Sequence, residues 1–552
     1  MRITRGWLAI WLLIFYLSGF FFQKISLVTA DLGRHIQNGQ TILEQGLTSL
    51  VLNTNYYSYT QPNYPVINHH WLYGVMAYLI HDLAGFSGLI IFNVLGLTIA
   101  IGLTLVLSAR QTRPRWVLMA GLIALPLVTA RSEIRPETIS FLLFGLSIWL
   151  LVKFRSHQLK SWWLLIGLSL IQLIWVNTHI FFVFNIGLVG MFWLFEVVRY
   201  LFRRTATKFN QLNLHLKTLS WSLLLVCGLS LINPAGWRGA MAPLQIFDNY
   251  GYRVLENQSI PFLINVTNLV IPWYPVIIAL LLLGVIIIWF LNQIIQLWFV
   301  TKKLPNQKSM LVFAKTWSSF KSFLSHPLSP LILIGLIFFT ANFIISRLYP
   351  FTGLVMIPAL SLIFSKLPIQ KITHKVTSHP LGIMTSPLVI MLIIAISLRS
   401  GLFTPNLNQL GCGISANQLA SIEFFNQYLS GPIYNNYDIG GFLIYGLFPQ
   451  TKIYVDNRPE AYSVDFLTIY TKAQEKTEVW QTLDQTYNFQ TIFFYRHDQT
   501  TWAQPFLIDR IKDPTWIPVF VDDMVLILVK NNSQNQSVID KFALPDSIFQ
   551  IE

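Results

Sequence analysis

Asp31, Arg34 and His35 stand at i, i+3 and i+4, a spacing that puts all three on one face of a helix. A carboxylate, a guanidinium and an imidazole held together can take a proton and hold an anion. They belong to Asp-Leu-Gly-Arg-His-Ile-Gln-Asn-Gly, residues 31–39, which follows the first long apolar run; His69-His-Trp-Leu72 closes the same stretch. Ionisable groups where a chain leaves the bilayer are costly, so they are functional or paired. The plain alternatives are a solvated interfacial loop, or an Asp that only caps the loop helix.

Further groups of the same kind recur along the chain. Arg131-Ser-Glu-Ile-Arg-Pro-Glu137 carries two arginines and two carboxylates in seven residues. Arg131 and Arg135 can fork onto a phosphate or sugar, with Glu133 and Glu137 beside them; equally, the four can neutralise one another. Asn177-Thr-His179 reads either as a binding pair or as a capped turn, and Asn233-Pro-Ala-Gly236 as a turn. Arg347, next to Tyr349 and Pro350, can hold a lipid phosphate or snorkel to the interface. Later, Tyr437-Asp-Ile-Gly-Gly441 lacks the Lys and spacing of a phosphate loop. Asp456 and Arg458 in Asp-Asn-Arg-Pro-Glu460 can bind an acceptor or fix their own loop.

The elements that must carry these residues are mostly apolar helices. The 552 residues are 54% hydrophobic and 11% charged, against about 25% charged in a soluble protein. A crossing takes about 20 apolar residues. The expected spans are 6–23, 87–108, 116–130, 137–154, 162–176, 180–198, 218–232, 272–299, 329–346, 350–365 and 386–402, with 71–84 as a half-span or interfacial helix. The net charge of +14 lies between the spans and not in one patch, so it does not point to nucleic acid. Lys and Arg crowd the loops at 110–115, 153–160, 199–217, 302–321 and 366–375. That bias makes those loops and the N-terminus cytoplasmic. It puts Asp31, His70, Arg131, His179 and Arg347 on the outer face, with everything beyond residue 402. Residues 403–552 alternate strands (433–434, 452–455, 491–495, 517–521, 524–529) with helices (465–486, 499–511), and Asp522-Asp523 signals a hairpin. Two cysteines give neither a disulfide framework nor a zinc spacing.

The fold class expected is therefore a polytopic α-helical membrane protein with about 11 transmembrane helices and a C-terminal extracytoplasmic α/β domain. Residues 1–402 form the membrane domain, with a first outer loop at 24–72, and 403–552 form the outer domain. Localisation is the inner (plasma) membrane.

The motifs Asp31-Leu-Gly-Arg-His35 with Gly39, Ser58-Tyr-Thr60, His69-His-Trp-Leu72, Asn435-Asn-Tyr-Asp-Ile-Gly-Gly441 and Val455-Asp-Asn-Arg458 together resemble those of a large group of bacterial membrane proteins. That group is related to the GT-C glycosyltransferases, which include protein O-mannosyltransferases, aminoarabinose transferases and oligosaccharyltransferases. The resemblance implies a polyprenyl-phosphate-sugar lipid as donor and a site on the outer leaflet. It also implies an acidic residue in the first outer loop, which here is Asp31. Many relatives carry two tryptophans where this chain has Gly33-Arg34, and an acidic residue where it has His70, so a carboxylate pair or divalent metal is not indicated. The residues fit the chemistry independently. Asp31 serves as base in an inverting-type transfer, with His35 or His70 orienting or sharing its proton. Arg34, Arg131, Arg135 and Arg347, with His69 nearby, hold the departing phosphate. The acceptor is an extracytoplasmic glycan, lipid or protein. Two rivals stand beside this reading. A transporter or flippase of polyprenyl-linked glycans would want ionisable groups at mid-membrane and broken helices, and the large outer domain permits a non-catalytic scaffold for envelope assembly.

Overall fold

The computed structural model describes residues 5–202, 209–252, 257–262, 321–366 and 409–549. The helical part runs α1 (Arg5–Gly19), α2 (Leu32–Gln45), α3 (Ser49–Asn53), α4 (Trp71–Gln111), α5 (Pro114–Val128), α6 (Glu137–Arg155), α7 (Ser161–Thr178), α8 (Val183–Phe202), α9 (Phe209–Leu229), α10 (Trp237–Met241), α11 (Ser329–Asn342) and α12 (Tyr349–Lys366). Among the described residues, five helical stretches are long and apolar enough to cross a membrane: Trp71–Gln111, Glu137–Arg155, Ser161–Thr178, Ile180–Leu201 and Ser346–Lys366. α1, α5 and α11 are apolar but shorter. α9 covers most of the expected span 218–232, but it opens on polar residues (Asn210, Gln211, Asn213). The expected spans 272–299 and 386–402 lie outside the described residues, as does the domain boundary at 402.

The outward faces explain what the helices are built for. Ile91, Leu95 and Ile99 on α4, and Trp163, Ile166, Leu170 and Ile174 on α7, are exposed at helical spacing. Long exposed apolar stripes of this kind suit a lipid surroundings rather than water. Inward, α12 is buried along nearly its whole length against α4, α5 and α11. α4 is broken at Gly85, whose φ of 60° divides it into two helical segments near the boundary expected between 71–84 and 87–108.

The loop between α1 and α4 is the hub. α2 lies between α4 and the C-terminal region, and both contacts are closer than a side chain allows. A Cβ on Gly39 would sit 2.0 Å from the Gly74 carbonyl oxygen, and one on Gly33 would sit 2.7 Å from that of Gly441. Glycine at these two positions lets backbone pack on backbone.

The C-terminal region contains α13 (Ala420–Tyr428), β1 (Ile433–Asn435), α14 (Gly440–Leu447), α15 (Val464–Glu475), α16 (Thr477–Tyr487), β2 (Thr491–Tyr495), α17 (Ala503–Lys512), β3 (Trp516–Val521), β4 (Val525–Lys530) and α18 (Gln536–Phe542). Its four-stranded sheet has the order β1-β2-β4-β3. β1 and β2 are parallel, and the other pairs are antiparallel. The hairpin at Asp522-Asp523 forms as expected, with Asp522 Oδ1 accepting the Met524 and Val525 amides. Residues 452–455 correct the sequence reading, because they join no strand of this sheet. Their backbone is sewn to the first loop instead: Tyr59 N–H donates to the Ile453 carbonyl and Ile453 N–H to that of Tyr57. Asn435 Oδ1 accepts the Tyr454 amide at 3.1 Å. The expected helix 465–486 is two, α15 and α16, separated by extended backbone at Lys476.

Candidate functional site

Asp31 occupies the N-cap position of α2, but its side chain makes no capping hydrogen bond. Its Oδ1 instead accepts from the Asn457 amide of the C-terminal region, and its other oxygen has no partner among the described residues. The half-buried carboxylate thus keeps one oxygen able to take a proton. Asn457 belongs to a latch. Arg458 donates to Asp456 at 2.8 Å from Nε and 2.6 Å from Nη2, and Nη2 also reaches Asn55 Oδ1 at 2.9 Å. Burial raises the Asp456 carboxyl, but the facing Arg458 overrides it and holds the group below its ordinary range. Asp456 and Arg458 are therefore committed to each other and to the first loop.

Glu137, the first residue of α6, is buried. Its Oε1 accepts from Arg347 Nε at 2.8 Å and Nη2 at 2.5 Å, and Arg131 Nη2 approaches it at 4.0 Å. Arg135 lies within electrostatic reach of the same carboxylate and of Tyr73. Three guanidiniums around one carboxylate leave the spot net positive. Glu133 is exposed and forms no ion pair among the described residues.

Four histidines, His35 of α2 among them, lie beside this cluster. The His35 ring lies 5.3 Å from His70 and 5.0 Å from Tyr73. His70 lies 5.2 Å from His179 and 6.2 Å from His69. Burial pushes all four down: His35 and His70 well below the usual imidazole value, His69 to about 4 and His179 to about 3. Neither His35 nor His70 hydrogen-bonds Asp31 among the described residues; they are neutral rings packed edge to face. No group of histidine, cysteine or carboxylate side chains among the described residues is arranged to hold a metal ion. Asn177 has its amide fully occupied, accepting from Trp71 Nε1 at 3.0 Å and donating to the Leu173 and Ile232 carbonyls.

Arg34 differs from every arginine above. It is 6% exposed, and among the described residues it has no ion pair and no hydrogen-bond partner; its Nε is buried without one. Its charge reaches His35 and His70 on one side and Asp456 and Glu460 on the other. A buried guanidinium left unpaired is expensive, and one turn away on the same helix sits Asp31.

Some of the groups at this end carried no functional signal in the sequence. Ser140 and Trp175 read as ordinary helix interior, yet they hold His179. Tyr73 gave no signal either. Asn457 did have one, since it falls inside the Val455-Asp-Asn-Arg458 motif.

No protein-family model matches the sequence, and no curated protein matches it. Among solved structures, the chain is similar to archaeal oligosaccharyltransferase AglB from Archaeoglobus fulgidus, in complex with an inhibitory peptide and a dolichol-phosphate. The match covers 93% of this chain and 72% of that one, at 11% identity and a TM-score of 0.48. It is also similar to ArnT from Cupriavidus metallidurans bound to undecaprenyl phosphate, over 96% of this chain and 98% of that one, at 10% identity and a TM-score of 0.48. ArnT in the apo state gives 98% of each chain, 11% identity and a TM-score of 0.49.

Proposed function

We propose that the chain is an integral-membrane glycosyltransferase of the GT-C type, moving a sugar from a polyprenyl-phosphate donor to an acceptor hydroxyl on the outer face of the membrane. The observation that carries this is Arg34: among the described residues it is a buried cation without a partner, one helical turn from a carboxylate with a free oxygen. A ligand that brings its own anion would complete Arg34, and a ligand whose reacting carbon adjoins that anion would lie beside Asp31. A glycosyl phosphate has both features. A donor with a membrane-bound tail accounts for these groups lying at the ends of apolar helices.

The residues then take separate roles. Asp31 accepts the proton of the acceptor hydroxyl as its oxygen bonds to the anomeric carbon. The bond from that carbon to the phosphate oxygen breaks, the anomeric configuration inverts, and the lipid phosphate leaves with the electron pair. Arg34 binds the developing charge. Arg347, held rigid by Glu137, adds positive potential together with Arg131 and Arg135. Asn457 fixes the carboxylate, and the latch Asp456–Arg458–Asn55 fixes the loop that carries it. Residues 403–552 stand outside the cell and the basic loops inside. Alternating access is disfavoured because the polar groups between α6, α7, α8 and α9 (Ser147, Gln172, Asn185 and Ser230) satisfy one another and leave nothing there for a passing ligand.

The test is turnover. Purified chain in nanodiscs receives a panel of radiolabelled undecaprenyl-phosphate sugars with membrane extract as acceptor, and release of undecaprenyl phosphate is followed. Release by the wild type that is lost in Asp31→Asn supports the reading. Equal release by both removes Asp31 from the chemistry.

A further inference from the structure

We infer that His179 is a fixed hydrogen-bond donor, carrying its proton on Nε2, and that Ser140 and Trp175 are the positioning residues that set this tautomer. Trp175 Nε1 lies 2.8 Å from Ser140 Oγ. An indole nitrogen only donates, so the hydroxyl oxygen accepts there. The same Oγ lies 2.8 Å from His179 Nδ1. Ser140 is wholly buried, and these are the two hydrogen bonds of its side chain among the described residues. If Nδ1 also carried a proton, Oγ would receive two N–H groups and its own hydrogen would have no acceptor. An orphaned buried donor is costly. The hydroxyl therefore donates to Nδ1, and the neutral ring keeps its hydrogen on Nε2.

The consequence concerns direction. The lone pair of His179 faces Ser140, into the bundle, where no substrate proton reaches it. The Nε2–H has no partner among the described residues, and the ring is within electrostatic reach of Glu137, Arg347, His69 and Arg131. His179 is thereby excluded as the base and supplied as a neutral donor to an oxyanion placed beside those arginines. The tautomer stands on the hydrogen-bond chain alone. Its use on a lipid phosphate rests on the transferase reading.

The two claims are separable by experiment. The full chain, labelled with 15N-histidine and reconstituted in nanodiscs, gives the His179 tautomer from its ring nitrogen shifts, the signal being assigned by its loss in His179→Gln. Nε2–H is expected in the wild type. Ser140→Ala is expected to yield a mixture with Nδ1–H. Trp175→Phe is expected to do so as well, because without the indole N–H the hydroxyl is no longer held in place and can turn its hydrogen to a backbone carbonyl of α6, leaving Oγ to accept from Nδ1; it also guards against a Ser140→Ala that fails to fold. Farnesyl phosphate is the binding probe, and Ser140→Ala is expected to weaken it about tenfold, the scale of one hydrogen bond to a charged group. An Nδ1–H tautomer in the wild type, or a tautomer and an affinity unmoved by both variants, overturns the inference. Nε2–H with no farnesyl phosphate binding in the wild type upholds the relay and overturns its use in transfer.

Discussion

Between α6, α7, α8 and α9, Ser147 donates to Asn185 Oδ1, Asn185 donates to Gln172 Oε1, and Gln172 donates to Ser230 Oγ, at 2.8, 2.9 and 2.8 Å. Ser230 passes its own proton to the Val226 carbonyl. At the α2 end of the same bundle, among the described residues, Arg34 has no partner, Glu137 Oε2 and His35 Nδ1 are buried without one, and Asp31 keeps a free oxygen. Both clusters are polar groups taken out of water, which costs free energy unless each donor meets an acceptor. The first is complete within the protein and acts as glue between helices. The second is incomplete, and its missing pieces are an anion and a proton donor. The difference separates a polar cluster that holds the fold from one that waits for a ligand.

Breaking each cluster should therefore have opposite consequences. The largest effect is expected at Asp31. Asp31→Asn keeps the oxygen that Asn457 holds but loses the basic one, so transfer slows at least ~100-fold, the low end for general-base catalysis, while donor lipid still binds. Single-turnover assays beside a lipid-binding assay check both halves. Next is Arg34→Gln, which is expected to weaken undecaprenyl phosphate binding by about ten- to a hundredfold. Its melting temperature stays level or rises, because an unpaired buried charge is removed.

Asn185→Ala reverses the pattern. It leaves Gln172 Oε1 and the Ser147 hydroxyl without partners, so unfolding becomes easier by about 1–3 kcal/mol, with unchanged turnover per folded molecule. A variant that instead lost turnover and kept its stability would erase the distinction. The smallest effect is in pH. His69 and His70 are held below the ordinary imidazole value of 6.5. Below that pH the unfolded chain binds protons that the folded chain refuses, so stability is full above pH 6.5 and declines as pH falls towards about 4 for His69. The loss between pH 6.5 and 5.5 is expected to stay under ~1 kcal/mol per histidine. Melting curves at the two pH values check it, and His69→Asn should flatten the slope.

What the sequence made legible was what is local. Hydropathy located α4, α6, α7 and α12, and two adjacent aspartates located the β3–β4 turn. The i, i+3, i+4 spacing put Asp31, Arg34 and His35 on one turn of α2. What it hid was everything set by distant contact. Asn457 reaches Asp31 across 426 residues, and Arg347 reaches Glu137 across 210; neither pairing leaves a local pattern. Residues 452–455 look like a strand because Ile453, Tyr454 and Val455 are β-formers in a row, but their backbone partners lie in the first loop. Arg34 and Arg458 are both arginines beside carboxylates in sequence. Only the fold shows that Arg458 is spoken for and that Arg34, among the described residues, is not.

The most direct measurement is the position of a bound lipid phosphate. An experimental structure of the chain in nanodiscs with undecaprenyl phosphate is expected to put the phosphate oxygens within hydrogen-bond distance of the Arg34 guanidinium, on the side of α2 that faces Asp31. A phosphate found elsewhere, with Arg34 still unpartnered, would contradict the account.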